Sequence, residues 1–453
     1  MSKFVQADGR VIYPQTHLTK EQKQAVGLLS IGTFLEYFDL LLYVHMAGVL
    51  NELFFEPSDP QTTALMMSFA FCSTYVFRPV GAVIFGWLGD NIGRKSTVII
   101  TTLMMAASCL VMANLPTYAQ IGVTATWIVT ICRIIQGISS MGEVTGAELY
   151  LTETLKPPIQ YATVGSLGAF AALGGIGALG IASLVTSLGF NWRAAFWLGA
   201  IVALIGSIAR TTLRETPEFA DAKRRIKTIF ARTNTDSNTL EKNPIWKEKV
   251  NKKTVLAFFF LQCFGPISFY FIYVHCGNIL KTSFGYTTVE VIHHNFIVCI
   301  MEFITILTLC YLSLKIYPLL TMKIILIISF IFMIFCPYLL NNVNAPYQLF
   351  LMQFVILLCE CLAPVLPVCY ESFPVFKRFT CASITFAVSR ALMFVITSFG
   401  FVYFTDHFGN WGLWFIMIPA IIASAYGLLH FEKLEKKREN YFQPKIDLAA
   451  KVR

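Results

Sequence analysis

The sequence has few charged residues, since Asp, Glu, Lys and Arg together make up only 13% of its 453 residues. A soluble globular protein carries about 25% charged residues. Half that share does not cover the surface of a water-soluble body of this size, and the mean hydropathy of +0.63 agrees. The composition therefore excludes a soluble protein and predicts one whose main solvent is lipid.

Patterns of disulfide and metal chemistry are also missing. The chain has 12 Cys but no C-x-x-C pair, and no His stands at metal-ligand spacing beside them. Most of these Cys lie inside apolar runs, where a buried free Cys behaves as a small hydrophobic residue. We therefore predict no disulfide framework, no metal site and no cofactor.

No motif of a membrane enzyme or of an ATP-driven pump is present. H-E-x-x-H, G-x-S-x-G and a Walker loop are all absent from the sequence. Each of these motifs supplies a metal site, a nucleophile or a phosphate cradle. The prediction is that the chain is not an enzyme.

Long apolar runs take up most of the chain instead. A helix needs about 20 apolar residues to cross a bilayer, and strands of a membrane barrel would alternate in polarity over about 10 residues. These runs are apolar on all sides and predict an all-α membrane protein with twelve transmembrane helices in two six-helix halves. The runs lie near 25–50, 62–88, 97–115, 120–143, 161–187, 193–213, 254–280, 289–313, 319–340, 346–369, 380–404 and 411–430.

The basic residues predict the orientation. A formal net charge of +9 would also suit nucleic-acid binding, but Lys and Arg lie in alternate gaps between the apolar runs rather than on one face. The positive-inside rule then places both termini in the cytoplasm, and no nucleic-acid partner is predicted. The polar first two dozen residues predict no cleavable signal peptide. The predicted units are a cytoplasmic tail 1–24, a helical bundle 25–213, a basic cytoplasmic linker 214–253, a second bundle 254–430 and a basic cytoplasmic tail 431–453.

The most specific motif, G-W-L-G-D-N-I-G-R-K, follows the second apolar run. Gly86 and Gly93 permit a tight turn between two helices, and Asp90 can bond a helix N-terminus. Arg94 and Lys95 anchor the cytoplasmic side. This combination predicts a latch between helices, whereas a plain topology anchor would need only the two basic residues.

This motif resembles the inter-helix signature of the major facilitator superfamily. The segment R-P-V-G-A-V-I-F-G before it, from Arg78, resembles the lead-in of the metabolite–proton symporters, among them proline/betaine, α-ketoglutarate, citrate and shikimate permeases. The blocks Gly32–Tyr43, Arg133–Glu153 and Asn191–Phe219 resemble the same branch. The resemblance implies the superfamily fold, a bacterial inner-membrane location and transport by alternating access. Arg78 is assigned to the gating latch, and we predict a functional monomer.

Ionisable residues inside the apolar runs are the candidate site residues, because a charge at the bilayer centre costs at least ~3 kcal/mol. Glu36 and Asp39 lie at i,i+3 on one helix face, close enough to interact. Two nearby acids in a low-dielectric site do not both ionise easily. We predict that one of them carries a proton, with Glu143 as partner. The alternative is that one acid pairs with Arg133 or Arg390 and only holds the bundle together.

The predicted substrate-binding residues are Arg133, Arg390, Tyr270, Tyr273 and Glu148. Arg390 is the candidate for a substrate carboxylate, which a guanidinium binds through two hydrogen bonds. The two tyrosines suit a quaternary ammonium through cation–π contact, with a lipid-facing or core-packing stripe as the alternative. We predict proton-coupled symport of a small carboxylate-bearing metabolite or osmolyte, proline/betaine-like or a dicarboxylate. A facilitator or exchanger without proton coupling is the alternative, and a transporter-like sensor is a remote one.

Overall fold

Long α-helices make up most of this computed structural model, which describes residues 4–5, 11–55, 75–188, 191–224, 249–360 and 362–438. Two short antiparallel strands, β1 (Phe4–Val5) and β2 (Val11–Ile12), precede the first helix. The helices are α1 (Lys20–Phe54), α2 (Arg78–Asn91), α3 (Arg94–Asn114), α4 (Val123–Thr154), α5 (Ile159–Leu188), α6 (Arg193–Arg210), α7 (Lys252–Phe284), α8 (Thr288–Ser313), α9 (Pro318–Asn341), α10 (Pro346–Tyr370), α11 (Val375–Phe408) and α12 (Trp414–Lys437).

The described helices account for the twelve predicted spans. Ten stretches of the described chain are long and apolar enough to cross a membrane, and one of them, Val375–Lys437, contains both α11 and α12. The remaining helix, α2, is short in its described part, because much of the predicted run 62–88 falls in 56–74, outside the described residues. The predicted all-α fold with twelve transmembrane helices is confirmed.

Two helix pairs join the halves, since α2 packs against α11 and α5 packs against α8. Glycines permit both approaches. A Cβ atom on Gly86 would lie 2.8 Å from the Cα of Thr380, and one on Gly165 would lie 2.7 Å from the Sγ of Cys310. Small residues allow helix backbones to approach closely in lipid, where packing rather than the hydrophobic effect holds helices together.

The last helix continues past residue 430, the predicted end of the final span. Glu432 forms a 3.2 Å ion pair with Lys323, and Glu435 accepts a 2.7 Å hydrogen bond from Tyr317. These contacts with α9 and the residue before it hold the first turns of the predicted tail in the bundle. Most of the linker 214–253 and of the tail 431–453 lies outside the described residues, so the domain boundaries stay a prediction.

Candidate functional site

A central cavity of about 420 Å³ lies between the two halves. Residues of both halves line it, and most of its wall is apolar. Four charged side chains reach the wall, namely Arg78, Glu148, Glu302 and Arg390. Such a concave, mainly apolar space with a few convergent polar groups is the usual form of a small-molecule site.

Arg390 of α11 carries a guanidinium nitrogen without a partner. Its Nη1 atom is buried, and no described residue forms a hydrogen bond with it. The guanidinium carbon lies 3.7 Å from the centroid of the Phe386 ring, which holds the head group in place from one side. A buried guanidinium nitrogen without a hydrogen-bond partner costs free energy, so this half-buried side chain suits an anionic group of a bound molecule.

Glu36 and Asp39 meet different arginines. Glu36 lies 3.5 Å from Arg78 of α2, and Asp39 lies 3.4 Å from Arg133 of α4. All four side chains are buried. The two acids therefore do not depend on each other for their charge balance, because each has its own cation. Only the Glu36–Arg78 pair borders the cavity, through its arginine.

Glu143 forms the closest ion pair of this half, at 2.6 Å from Arg210 of α6. It also accepts a 2.6 Å hydrogen bond from Thr102, which bonds Arg210 as well. Neither charged residue is among those that line the cavity. The structure thus places Glu143 in a closed network between α3, α4 and α6, and Arg210 is a partner that the sequence reasoning did not single out.

The remaining predicted substrate-binding residues fall into two groups, those that line the cavity and those that pack in the core. Glu148 lines the cavity and accepts a 2.5 Å hydrogen bond from Tyr370, and Tyr273 lines it and donates a 2.6 Å hydrogen bond to Glu302. Tyr270 is not among the residues that line the cavity. Its ring contacts the ring of Phe401 in a tilted arrangement, with ring centroids 5.2 Å apart. The core-packing alternative therefore describes Tyr270, whose ring belongs to the contact between α7 and α11.

The motif after the second span forms contacts between the halves. Asp90 accepts hydrogen bonds from the backbone N–H groups of Phe379 and Thr380, at 3.0 and 2.8 Å. These amides lie in the first turns of α11, where the helix dipole favours a carboxylate. Arg94 lies 3.5 Å away and balances the charge of Asp90. This is the geometry that a latch requires.

Glu153, at the end of α4, is the centre of this latch. Arg94 forms two hydrogen bonds with it, at 3.1 and 2.9 Å, and Arg378 of α11 forms a third at 3.0 Å. Thr216 adds a 2.6 Å hydrogen bond. The side chain of Glu153 is 0% exposed, so one buried carboxylate holds cations from both halves.

The E-T-P-E-F segment after α6 completes the latch. Glu215 accepts a hydrogen bond from the backbone N–H of Arg94 at 3.0 Å, and Glu218 binds Arg378 at 2.7 Å. The ring of Phe219 lies 4.6 Å from the Arg94 guanidinium. In the sequence this segment stood out only through its resemblance to the metabolite–proton symporters. The signal available in the sequence was two acids and an aromatic residue in a short segment flanked by arginines.

Two predicted latch residues, Lys95 and Arg78, take no part in the latch contacts that join the two halves. Lys95 is half-buried and donates a hydrogen bond to the carbonyl oxygen of Thr211, which directly follows α6 of its own half. Arg78 is twelve residues before Asp90 on α2, which is about 18 Å along a helix axis. The grouping of Arg78 with the latch is therefore corrected, because the structure places it in the cavity wall against Glu36.

Two positions of the latch require glycine for steric reasons. The backbone of Gly93 has φ of +138°, a conformation that side chains rarely adopt. A Cβ on Gly89 would meet the ring of Phe379. Gly89 therefore allows α2 to approach the start of α11, and Gly93 allows the turn into α3 beside Glu215.

A family comparison identifies the chain. The sequence model of the Major Facilitator Superfamily matches residues 29–378. The chain belongs to this superfamily. The structure also resembles the solved structure of the proton:xylose symporter XylE, with a TM-score of 0.70 and 16% sequence identity. This match covers 91% of this chain and 95% of the symporter chain. The human organic anion transporter MFSD10 matches with a TM-score of 0.65 at 13% identity, covering 92% and 100% of the two chains. At these identities the likeness shows the fold alone.

Curated relatives match the sequence over about half of the chain. The Inner membrane metabolite transport protein YhjE of Escherichia coli (strain K12) is 34% identical over 226 residues, 47% of this chain and 50% of the relative. The Proline/betaine transporter of Salmonella typhimurium is 32% identical over 206 residues, 44% and 41% of the two chains. The match spans about half the length of the curated relatives. These names agree with the metabolite–proton symporter branch that the motifs resemble.

The family assignment bears on two further predictions. The superfamily and the named relatives are transporters and not enzymes, which confirms that prediction. The chain is a multi-pass membrane protein. Within the described ranges, no group of three or more His, Cys, Asp or Glu side chains could hold a metal ion.

A pH dependence is expected at Glu371, which lies between α10 and α11 beside the latch. Burial raises the pKa of Glu371 from 4.5 to about 7, against the opposing effect of a hydrogen bond from Gln160. The neutral acid therefore suits the folded state, so its stabilisation is full below about pH 4.5 and is lost as the pH rises to about 7. The neighbouring charges are Glu218, Arg378 and Glu435.

The measurement is the melting temperature of the purified protein between about pH 5 and 8. We expect it to fall more steeply in the wild type than in Glu371→Gln, which stays neutral at every pH. Parallel pH profiles of the two proteins would show that Glu371 is already ionised in the fold.

Proposed function

We propose that this protein is a secondary transporter that moves a small carboxylate-bearing metabolite or osmolyte together with a proton by alternating access. The observation that carries the proposal is the central cavity, where Arg390 presents an unpaired nitrogen and the Glu36–Arg78 pair borders the wall. A guanidinium binds a carboxylate through two charge-assisted hydrogen bonds. The named relatives, which include proline/betaine and metabolite transporters, support this substrate class.

The Glu36–Arg78 pair supplies a route for proton coupling. The pair is long, at 3.5 Å, and the arginine is the member that lines the cavity. Protonation of Glu36 removes the charge that holds Arg78, and the freed guanidinium then gains from binding an anion. A substrate carboxylate and a proton thereby favour each other's binding, which is the reciprocity that coupled transport requires.

The latch supplies the second element of alternating access. Positive charge outside the spans supports a cytoplasmic location for both termini and for the latch. In that orientation the latch closes the cytoplasmic side, and the chain is in an outward-facing or occluded state. Opening toward the cytoplasm requires the ion pair of Glu153 with Arg378 to separate, because Arg378 belongs to the second half, whereas Arg94 lies in the same half as Glu153. In this proposal the protein acts as a monomer in a bacterial inner membrane.

The second candidate function is transport without proton coupling on the same fold. The pairing of Asp39 and Glu143 with arginines favours it, because these two acids would then hold helices together rather than carry a proton. Uptake into proteoliposomes with and without a pH gradient separates the two candidates. Collapse of uptake on adding a protonophore supports coupling, and unchanged uptake supports a facilitator or exchanger.

Replacement of each first-helix acid tests which one is coupled. We expect Glu36→Gln to abolish the stimulation of uptake by a pH gradient while substrate-for-substrate exchange continues, because the amide mimics the protonated acid. We expect Asp39→Asn mainly to lower stability, since it removes the carboxylate that balances the buried charge of Arg133. The measurements are gradient-driven uptake, exchange and proton uptake in proteoliposomes.

Proton coupling unchanged in both variants would contradict the proposed role of this acid pair. Glu21→Gln on the same helix is the matched control, because its side chain is 70% exposed and its ion pair among the described residues is with exposed Arg214.

A further inference from the structure

The second half contributes a carboxylate to the cavity that has no cation beside it. Glu302 of α8 lines the cavity and accepts its 2.6 Å hydrogen bond from Tyr273. Within the described ranges, no Lys, Arg or His forms an ion pair with Glu302. By contrast, Glu36, Asp39 and Glu143 each have an arginine within 3.5 Å. The charge of Glu302 is therefore available to something that enters the cavity.

A second acceptor lies on the same helix face. Asn295 precedes Glu302 by seven residues, which is two helical turns, and it lines the same cavity. The residue is 8% exposed, and its Oδ1 atom is buried with no hydrogen-bond partner among the described residues. A buried amide oxygen without a partner costs free energy, and a bound donor would remove that cost. Cys299, between the two, contacts the Tyr273 hydroxyl at 3.3 Å.

Aromatic rings connect this acceptor face with the helix that carries Arg390. The Tyr273 and Phe269 ring centroids are 5.0 Å apart, and those of Phe269 and Phe394 are 6.1 Å apart. Phe394 follows Arg390 by one helical turn on α11. Aromatic faces attract a cation, with about 2 kcal/mol or more in desolvated sites. The acidic end of the cavity is therefore lined by groups that attract positive charge, and the Arg390 end by a group that attracts negative charge.

From this arrangement we propose that Glu302, Asn295 and Tyr273 form a subsite for a positively charged nitrogen of the transported molecule. The ligand is then a zwitterion whose carboxylate binds Arg390. This inference rests on the proposed function, and it adds the residues that distinguish a zwitterion from a simple carboxylate. Glu302 and Asn295 accept hydrogen bonds from a protonated amine, and Glu302 with the rings of Tyr273 and Phe269 faces a quaternary ammonium.

The test uses pairs of ligands that differ only in the charged nitrogen. Glycine betaine is compared with 3,3-dimethylbutanoate, in which carbon replaces the quaternary nitrogen. Proline is compared with cyclopentanecarboxylate, in which carbon replaces the ring nitrogen. Affinity is measured from the ligand-induced rise in melting temperature of the purified full chain and from uptake in proteoliposomes. We expect the wild type to prefer at least one zwitterion over its carbon isostere by about tenfold or more.

In Glu302→Gln that preference is expected to fall to about twofold or less, with the affinity for the carbon acid unchanged. Glu290→Gln is the matched control on α8, because Glu290 is exposed in a capping box that glutamine preserves. It should keep the full preference. Asn295→Leu is the second variant should Glu302→Gln not fold, and it should lower the same preference without weakening the carbon acids.

The outcomes separate this subsite from the proposed function. Equal binding of zwitterion and carbon acid by the wild type overturns the subsite and leaves carboxylate transport intact. A full zwitterion preference in Glu302→Gln also overturns it, including the case in which that variant loses only proton coupling. Binding of neither member of either pair by the wild type contradicts the subsite and the Arg390 carboxylate site together.

Discussion

Replacement of Arg390 by glutamine is expected to lower uptake at low substrate concentration by about a hundredfold or more. The physical reason is that two charge-assisted hydrogen bonds are lost, each worth about 1.5–3 kcal/mol when one partner is ionised. The variant also removes a half-buried charge that forms no ion pair with a described residue, so the protein without substrate should be at least as stable as the wild type. Uptake and melting temperature together measure the two effects.

Arg390→Lys refines the same prediction. Lysine keeps the positive charge but presents a point charge rather than a planar fork. We expect intermediate uptake, with a larger loss of affinity than of maximal rate. Arg214→Gln is the matched control, since its side chain is 82% exposed and lies outside the cavity. Wild-type uptake in Arg390→Gln would show that Arg390 does not bind the substrate.

Replacement of Glu153 by glutamine is expected to have the largest effect on conformation. Glutamine has nearly the same shape but leaves Arg94 and Arg378 buried with much of their charge uncompensated. Loss of one member of a buried ion network costs about 3–5 kcal/mol. Because Arg378 belongs to the second half, whereas Arg94 and Glu153 belong to the first, the part of this loss at Arg378 falls on the closed latch. We therefore expect transport to slow and the latch side to open.

Hydrogen exchange at the start of α11 reports the opening directly. The backbone amides of Phe379 and Thr380 donate to Asp90 only while the latch is closed, so their exchange should accelerate in Glu153→Gln. Glu21→Gln serves as the control, because an exposed pair contributes only about 0–1 kcal/mol. Unchanged exchange at these amides, with normal transport, would mean that Glu153 does not hold the two halves together.

Three glutamates of α4 illustrate how one helix supplies three environments. Glu143, Glu148 and Glu153 follow one another at intervals of five residues. Five residues rotate the side-chain direction by about 140° and advance it by about 7.5 Å. The first therefore reaches the α3–α6 network, the second the cavity and the third the latch. The sequence shows all three acids, but their neighbours depend on which helices pack around α4.

The fold follows from the sequence because lipid leaves few alternatives. In a bilayer every backbone polar group must be bonded within the protein, so an apolar run of about 20 residues forms a helix whatever its neighbours are. Twelve such runs and one long polar linker were sufficient to predict two six-helix halves. The G-D-x-x-G-R-K motif likewise indicated a latch, because glycines, an acid and two cations in a short turn have few other uses.

The charge partners depend on tertiary structure alone. Glu36 meets Arg78 across 42 residues, Asp39 meets Arg133 across 94, and Arg378 meets Glu153 across 225. No local pattern specifies such pairs, because the helix rotations and contacts between halves decide which side chains meet. The i,i+3 spacing of Glu36 and Asp39 correctly placed them on one helix, yet packing gave each a separate arginine. The sequence thus determined the twelve helices, their division and the latch motif. Tertiary packing decided which acids are neutralised and which charges stay open to the cavity, because an ion pair in low dielectric depends on distances of a few ångströms between helices distant in sequence.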